Sequence, residues 1–452
     1  MRLSNSIVRR SQRSALRARA ASQRALFERS AVAALLVVSG ACTEVTALKQ
    51  DNPGQLSAAT IYIPSNAQLL TNGAIADFEC AFSRFIVGSG LFTDELSNAI
   101  GSVSNYNYDR RTVQTIETYG TGTCGSNQQP PIYTTLSVAR ASADTVAAKL
   151  RGWTDAQMPT GVVRTKLIGQ ADAYAGYSIL LMGESMCTAA INLGPELSPA
   201  QLFDQAKSRF DSAVVAATAA SDQATLNFAL LGRARTLLNQ KSAASIAAAA
   251  VDAARIPAGF TYSISTDGVN VRRQNFSYLS INQNFWSTVD ATFRGLTIGD
   301  APDPRVAVTN TGRAGTAQGT TIWTPDKYPA LATNMPIARW AEAQFIIAEA
   351  RAATGDLTGA ATAINAVRAT RSGLPTYSAS GQTAAQVVSQ IVEERRRELF
   401  LEGHRMGDIR RLGLPWLPAA GTPYPGGGGT YGDQTCFPLP DAERINNPNL
   451  GS

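Results

Sequence analysis

The chain has 452 residues, 44% of them hydrophobic and 16% charged, which is enough apolar material for a large core arranged in one to three domains. This composition excludes a disordered chain, a coiled coil and a small disulfide-stapled scaffold. The formal net charge of +6 would be typical of a nucleic-acid-binding protein if it were spread over the body, so its distribution matters.

The positive charge is concentrated at the N-terminus. Eight arginines precede residue 30, and Glu28 is the only acidic residue there. Of the 40 basic and 34 acidic residues in the chain, 32 and 33 remain once these are removed, a net charge of −1 for residues 42–452. We therefore expect no nucleic-acid partner.

Residues 31–38 form an apolar run that is much shorter than the ~20 residues a membrane-spanning helix needs. The run is typical of a signal-peptide core. Residues 39–42 (SGAC) follow at once and resemble a bacterial lipobox, in which Cys42 receives the lipid. We expect residues 1–41 to be a lipoprotein signal peptide, with ordinary secretion as the alternative. The polar residues 42–65 are then a flexible tether between the lipid and the body that begins at residue 66.

The predicted body is mainly α-helical. Apolar residues recur at helical spacing over several segments, and Ser198 and Pro199 are typical of a helix N-cap and first turn. The Gly355-Asp356 turn separates the last two of these helices. The predicted helices span residues 137–153, 163–187, 199–220, 225–240, 242–256, 339–354 and 357–370. Helix pairs of this length with small residues where they cross resemble tetratricopeptide units; a plain antiparallel bundle is the alternative.

Two segments lack the helical pattern. Residues 75–135 and 257–336 are rich in Gly, Asn and Thr and carry scattered aromatic residues, with short β-like runs such as residues 260–264. Both are too long to be simple connections. We expect them to be irregular inserts on the helical frame, where binding residues usually lie.

Four cysteines remain if Cys42 carries a lipid, an even number in an oxidising compartment. Three pairings are possible. We favour Cys80–Cys124 and Cys187–Cys436, because Cys124 and Cys436 occur in Gly/Pro-rich loops that need restraint. No Cys/His cluster suggests a metal or cofactor, and His404 is the only histidine in the chain.

Two C-terminal segments carry a family resemblance. Residues 337–371 and 391–413 resemble the core signature of the SusD/RagB family, in particular EERRRE at 393–398, EGHR at 402–405 and DIRR at 408–411. Supporting matches include DPR at 303–305, TDE at 93–95 and CFPLP at 436–440. The resemblance spans most of the mature chain.

The resemblance implies a surface lipoprotein built from tetratricopeptide-like helix pairs. Such a protein faces outside the cell on the outer membrane and holds glycans, or peptides in some relatives, for a SusC-like TonB-dependent transporter. The implied protein catalyses nothing and needs no cofactor.

The charged residues of this motif also allow an interpretation that does not depend on the resemblance. Glu394, Glu398 and Glu402 alternate with arginines at helical spacing, so we expect them to form ion pairs within the helix. Paired carboxylates are also the machinery of glycoside hydrolysis, but a neighbouring arginine favours the ionised form and leaves no proton donor. His404 has no nucleophile signature around it, and we expect it to pack or hydrogen-bond where the helix ends.

Aromatic residues in the inserts are the candidates for ligand binding, because sugar rings stack on aromatic faces. The candidates, some of which the core would equally accommodate, are Tyr106, Tyr108, Tyr278, Trp286 and Trp323. An exposed aromatic cluster would favour a glycan-binding lipoprotein. A closed acidic or amide-lined cavity would favour a peptide-binding relative. A flat groove without aromatic residues would favour a helical-repeat scaffold.

Overall fold

The computed structural model describes residues 57–101, 103–125, 128–317, 319–425 and 429–450. The predicted signal peptide, most of the predicted tether and Cys42 lie outside these residues. The chain divides into two units after Ile61, and the described part of the first unit contains a short helix, α1 (Ala58–Ile61). All elements described below belong to the second unit.

The second unit is mainly helical. Its helices in chain order are α2 (Ala67–Phe92), α3 (Val103–Asp109), α4 (Thr118–Thr121), α5 (Tyr133–Gly152), α6 (Arg164–Ser185), α7 (Pro199–Ala219), α8 (Gln223–Asn239), α9 (Ala243–Ala253), α10 (Trp340–Ala353), α11 (Leu357–Arg368), α12 (Ala384–Glu398), α13 (Arg405–Leu412) and α14 (Asp441–Asn446). The long helices from α5 to α11 pack against their neighbours in chain order, and α2 packs against α5 and α6. None of the described helices has the length and apolarity to cross a membrane.

Side-chain caps fix where several of these helices begin. Ser198 accepts a hydrogen bond from the backbone N–H of Gln201 and caps α7, and Pro199 takes the first helical position. Asp356 caps α11 in the same way through the N–H of Gly359. The helix starts predicted at these two positions are confirmed.

Small residues allow the central helices to approach closely. Phe210 of α7 lies between Gly176 of α6 and Gly232 of α8, and its ring makes an edge contact with Tyr177 at 5.0 Å between centroids. A Cβ atom at Gly176 would lie 2.8 Å from this ring, and one at Gly232 would lie 2.4 Å from it. The two glycines therefore create the space that the ring fills.

The strands form two-stranded antiparallel ribbons. They are β1 (Leu96–Asn98) with β5 (Ser287–Val289), β2 (Ala189–Ala190) with β3 (Glu196–Leu197), β4 (Thr261–Ile264) with β10 (Met335–Arg339), β6 (Thr297–Ile298) with β7 (Ala301–Pro302), and β8 (Val308–Ala314) with β9 (Thr321–Pro325). The β1–β5 ribbon joins the two inserts, because Leu96 pairs with Val289 across it.

The first insert is shorter than the sequence indicates. Helix α2 continues to Phe92, so residues 75–92, assigned to an irregular segment by their composition, belong to the helical frame. Every residue from Phe78 to Phe92 is buried. A helix buried on all sides has no polar stripe, and hydrophobic periodicity does not detect it.

Two disulfides fasten loops to the frame. Cys80 of α2 is bonded to Cys124, and Cys187 at the end of α6 is bonded to Cys436. This is the pairing that the sequence favours. Next to the second bond, the ring of Phe437 packs against Phe92, Tyr108 and Tyr119. The C-terminal segment is thereby held against both the frame and the first insert.

Candidate functional site

A cleft of about 350 Å³ opens where the two inserts meet the C-terminal loop, and we call it the insert cleft. The β1–β5 ribbon supplies Ser97 and Thr288, and the segment after β5 supplies Asp290 and Arg294. The opposite wall comes from the C-terminal loop. The residues of this loop that line the cleft are Pro418, Tyr424, Pro425 and Tyr431.

Asp109, at the end of α3, supplies a buried carboxylate to this cleft and is only 5% exposed. Its Oδ2 accepts hydrogen bonds from the Asn98 backbone N–H at 2.7 Å and from the Tyr424 hydroxyl at 2.9 Å. Its Oδ1 has no donor among the described residues. One carboxylate oxygen is therefore fixed by the protein, and the other is available to a ligand.

Burial raises the pKa of Asp109 to about 7. The hydrogen bonds from Asn98 and Tyr424 lower this pKa, and the charge of Asp290 raises it. The carboxyl group thus changes charge near neutral pH, where it can act either as a donor or as an acceptor to a hydroxyl.

Tyrosine rings form one wall of the cleft. The rings of Tyr424 and Tyr431 are 5.2 Å apart between centroids, and Tyr106 packs edge-on against Tyr424 at 5.4 Å. The guanidinium of Arg111 lies 5.4 Å from the Tyr431 ring centroid and donates hydrogen bonds to the carbonyls of Leu417, Pro418 and Gly432. Arg111 therefore holds the loop that carries both tyrosines.

The other wall is polar. Ser97 donates to Asp290 Oδ2 at 2.5 Å, and Asp290 Oδ1 accepts from the Thr292 backbone N–H at 2.9 Å. Arg294 donates through Nε and Nη2 to the Val289 carbonyl and lies over the Trp323 ring at 5.5 Å. The cleft thus presents two carboxylates, one guanidinium and an aromatic wall, a combination suited to a ligand with many hydroxyl groups.

The predicted aromatic residues are not gathered in one surface. Tyr108 is fully buried, and its hydroxyl donates to the Pro130 carbonyl, so its ring offers no face to a ligand. Tyr278 and Trp286 are half-buried and pack against the core. The ring centroids of Trp286 and Phe276 are 6.3 Å apart. Tyr106 and Trp323 are half-buried too and border the cleft without lining it. Tyr106 packs against Tyr424, and Trp323 contacts Arg294 and donates its backbone N–H to Thr288 Oγ1.

Sequence reasoning missed the residues that line the cleft. Asp109 directly follows the tyrosines proposed for binding, whereas Tyr424 and Tyr431 lie in the Gly/Pro-rich loop before Cys436. The sequence marks that loop by its Gly/Pro content and by Cys436. Its two tyrosines, set among turn residues, are the signal that points to them, although the fold leaves them only 6% and 5% exposed.

The glutamates of the C-terminal motif are ion-paired, but not within their own helix. Glu394 accepts from Arg305 and Arg368, and Glu398 accepts from Arg339 and Arg371. Glu402 accepts from Lys327 at 2.5 Å and from Arg339 at 2.8 Å. The prediction of intrahelical pairs is therefore wrong for these three residues, because buried charges attract arginines from distant segments that fold onto the helix.

These ion pairs set the protonation states of the motif. Although burial raises the pKa of Glu394 and Glu398, their arginine partners outweigh it and keep the pKa of both below the ordinary value. Asp408 also has a lowered pKa, since Arg395 and Arg411 offset its burial. Carboxylates held in this ionised state brace the helices and cannot donate a proton near neutral pH.

His404 is buried beside the same network. Its Nδ1 is 3.7 Å from Glu342 Oε1, and its Nε2 is 3.5 Å from Arg235 Nη1. Burial, followed by the charge of Arg235, lowers the pKa of His404 well below its ordinary value. This agrees with a packing role at the start of α13. Among the described residues, no group of three or more His, Cys, Asp or Glu side chains is arranged to hold a metal ion.

Comparisons with known proteins agree with this architecture. Residues 321–450 match the model of the SusD family. A SusD superfamily protein from Parabacteroides distasonis has 12% sequence identity and a TM-score of 0.64, with 88% of this chain and 99% of that chain covered. Surface glycan-binding protein A from Bacteroides thetaiotaomicron, in complex with laminarihexaose, has 13% identity and a TM-score of 0.65 over 86% and 98% of the two chains.

A SusD-like carbohydrate binding protein from Bacteroides vulgatus has 17% identity and a TM-score of 0.59, with 85% of this chain and 96% of that chain covered. Identities this low show a common fold. No curated protein sequence matches the chain. The helical frame with its inserts is the SusD-like fold. The match of residues 321–450 to the SusD family model agrees with this fold.

Proposed function

We propose that this protein is a surface lipoprotein that captures oligosaccharides in the insert cleft and passes them to a SusC-like TonB-dependent transporter in the outer membrane. The combination of Asp109, Asp290 and Arg294 with the tyrosine wall carries the proposal, because it offers hydroxyl-binding groups beside aromatic rings. The glycan-binding proteins of similar fold support it. Cys42 would supply the lipid anchor.

We further propose that the protein binds its ligand without chemical change. Hydrolysis of a glycosidic bond needs a proton donor and a second carboxylate placed on either side of that bond. In the motif, each candidate glutamate is committed to arginine or lysine partners. In the cleft, Asp109 has a free oxygen, but both oxygens of Asp290 are committed to Ser97 and Thr292, so among the described lining residues Asp109 has no second free carboxylate to act with it.

A binding screen of the soluble body from Thr43 onward tests the proposal. Polysaccharides would be examined by affinity electrophoresis and their oligosaccharides by calorimetry, with peptides examined in parallel. Retardation by one glycan is the expected result. Binding to peptides alone would favour the peptide-binding alternative, and binding to neither would favour a helical-repeat scaffold.

Substitutions in the cleft assign the site. We expect Tyr424→Phe to weaken binding about fivefold to tenfold, because Asp109 Oδ2 loses a donor and its carboxylate is no longer held in place. Tyr278→Phe is the matched control, since Tyr278 is a half-buried tyrosine that does not line the cleft. Equal affinities of the two variants for the glycan would place the ligand elsewhere.

A further inference from the structure

A second groove lies on the helical frame and involves none of the residues of the insert cleft. Two adjoining cavities of about 220 and 550 Å³ share Pro199, Phe203, Asn239 and Lys241. The start of α7, the end of α8 and helix α13 form its walls. We call it the frame groove.

Two of the cations that line the frame groove have no carboxylate partner among the described residues. Arg410 donates from Nη1 to the Gly183 carbonyl at 3.1 Å, and Lys241 donates from Nζ to the Arg410 carbonyl at 3.3 Å. Neither side chain forms a salt bridge with a described carboxylate. Each is therefore held in place by a neutral carbonyl, and its charge is not neutralised.

The other charged groups of the smaller cavity are already neutralised. Glu184 accepts from Arg235 at 2.8 and 2.6 Å, and Arg411 donates to Glu349 at 2.6 and 2.7 Å. Asp204, which lines only the larger cavity, accepts from the neutral Gln240 side chain at 2.8 Å and keeps its negative charge. The smaller cavity thus keeps an excess of positive charge at Arg410 and Lys241.

The environment of Arg410 disfavours the charged form of its guanidinium. Burial lowers the pKa of Arg410 to about 10, and the charge of Glu184 only partly offsets it. A guanidinium has five donors, and only one hydrogen bond from Arg410 to a described group is present. Its remaining donors are available to an acceptor in the groove.

Asn239 adds a selective feature. Its side-chain N–H groups donate to Glu184 Oε1 at 2.9 Å and to the Arg235 carbonyl at 3.0 Å, which fixes the orientation of the amide. Its Oδ1 has no donor among the described residues. A hydrogen-bond acceptor of fixed orientation therefore lies in the same cavity as two unpaired cations, next to the ring of Phe203.

We propose that the frame groove binds the C-terminal residue of a peptide, with its carboxylate on Arg410 and Lys241 and its amide N–H donated to Asn239 Oδ1. A peptide C-terminus presents an anion and an adjacent N–H donor, and its side chain would contact Phe203. Acylated free amino acids carry the same pair of groups. The site is independent of glycan binding in the insert cleft.

Calorimetry with a short peptide ending in phenylalanine tests the proposal on the whole soluble protein. The same peptide with a C-terminal amide and N-acetylphenylalanine are measured in parallel. We expect the free-acid peptide to bind and the amide to bind at least about tenfold more weakly, because a charge-assisted contact is lost. N-acetylphenylalanine that binds as well as the peptide would indicate a small-molecule acid as the source of the carboxylate.

Substitutions complete the test. Arg410→Gln and Lys241→Gln are each expected to weaken binding of the free-acid peptide by at least about tenfold. Lys241 is exposed, so its variant reports on the groove even if Arg410→Gln lowers stability. Arg351→Gln, which removes an exposed arginine on α10, is the control. Equal binding of acid and amide, no binding of either, or unchanged binding by Lys241→Gln would overturn the proposal and leave both cations as caps of helix carbonyls.

Discussion

Asp109 combines a fixed geometry with a titration close to neutral pH. Its folded pKa of about 7 lies above the ordinary value of ~3.9 expected in the unfolded chain. Between these two values the folded protein holds the proton more tightly than the unfolded chain does. The contribution of Asp109 to stability is therefore fully present below about pH 4 and is lost as the pH rises through about 7.

We expect Asp109→Asn to remove this dependence. An asparagine can accept the same hydrogen bonds through Oδ1 and remains neutral at every pH. The variant should gain stability relative to the native protein between pH 5 and pH 8, which thermal unfolding at the two pH values measures. Glu95 and Glu342, whose pKa values burial also raises to about 7, are present in both proteins and cancel in the comparison. The same difference at both pH values would contradict the assignment.

The ion pairs show what residue spacing leaves undetermined. The sequence places Glu394, Glu398 and Glu402 beside arginines of their own segment, yet their partners include Arg305 and Arg339 from the second insert and the end of β10. Helical spacing describes which charges are neighbours on an isolated helix. It does not describe which distant segment will cover that helix, and a buried carboxylate pairs with whatever cation is buried beside it.

At the scale of elements, the crossing of α6, α7 and α8 depends on the absence of two side chains. The Phe210 ring is fully buried between Gly176 and Gly232, so it cannot move away from a new methyl group. We expect Gly232→Ala to lower the free energy of unfolding by about 1–3 kcal/mol through overpacking. Denaturant unfolding measures this loss.

Gly73→Ala is a matched control for that substitution. Gly73 is also in a long helix, α2, but it is exposed, and no atom lies within 4 Å of the Cβ that alanine would add. We expect this variant to gain about 0.5–1 kcal/mol, because alanine loses less backbone entropy than glycine in a helix. A comparable change in stability from both variants would mean that the Phe210 contact does not determine the effect at Gly232.

Elements with explicit caps could be predicted, and elements without a polar face could not. The start of α7 at Pro199 and the turn before α11 follow from side chains that satisfy the first N–H groups of each helix. The second half of α2 has no such signal, because it is buried on every side and carries Gly88 and Gly90. Likewise, the ring of Tyr108 is as aromatic as that of Tyr106, and only the fold determines which one is buried.

At the scale of the whole molecule, the proposed function requires the body to be held at a membrane. The described helices include none able to cross a bilayer, and we propose that a lipid on Cys42 is the anchor. We expect Cys42→Ala to move the protein from the membrane fraction to the soluble fraction. Cell fractionation and immunoblotting measure this change.

The same substitution should leave the body folded, because residue 42 precedes the second unit, which begins at Tyr62. The melting temperature of the purified variant and its retardation by the glycan serve as the controls. A variant that stays with the membrane would show that the lipid is not the main anchor.

The tyrosine wall of the insert cleft has a consequence for biosynthesis. Asp109 and the β1–β5 ribbon are complete by residue 289, but Tyr424 and Tyr431 are made only later. The hydrogen bond from Arg111 to Pro418 and the Cys187–Cys436 disulfide also form only after this segment has been made. Until the segment docks, Asp109 lacks the Tyr424 hydroxyl that donates to its Oδ2. A nascent chain that has not yet received its C-terminal loop therefore has the frame but lacks the tyrosine wall of the proposed site, so ligand retention would report that this loop has been made and has docked.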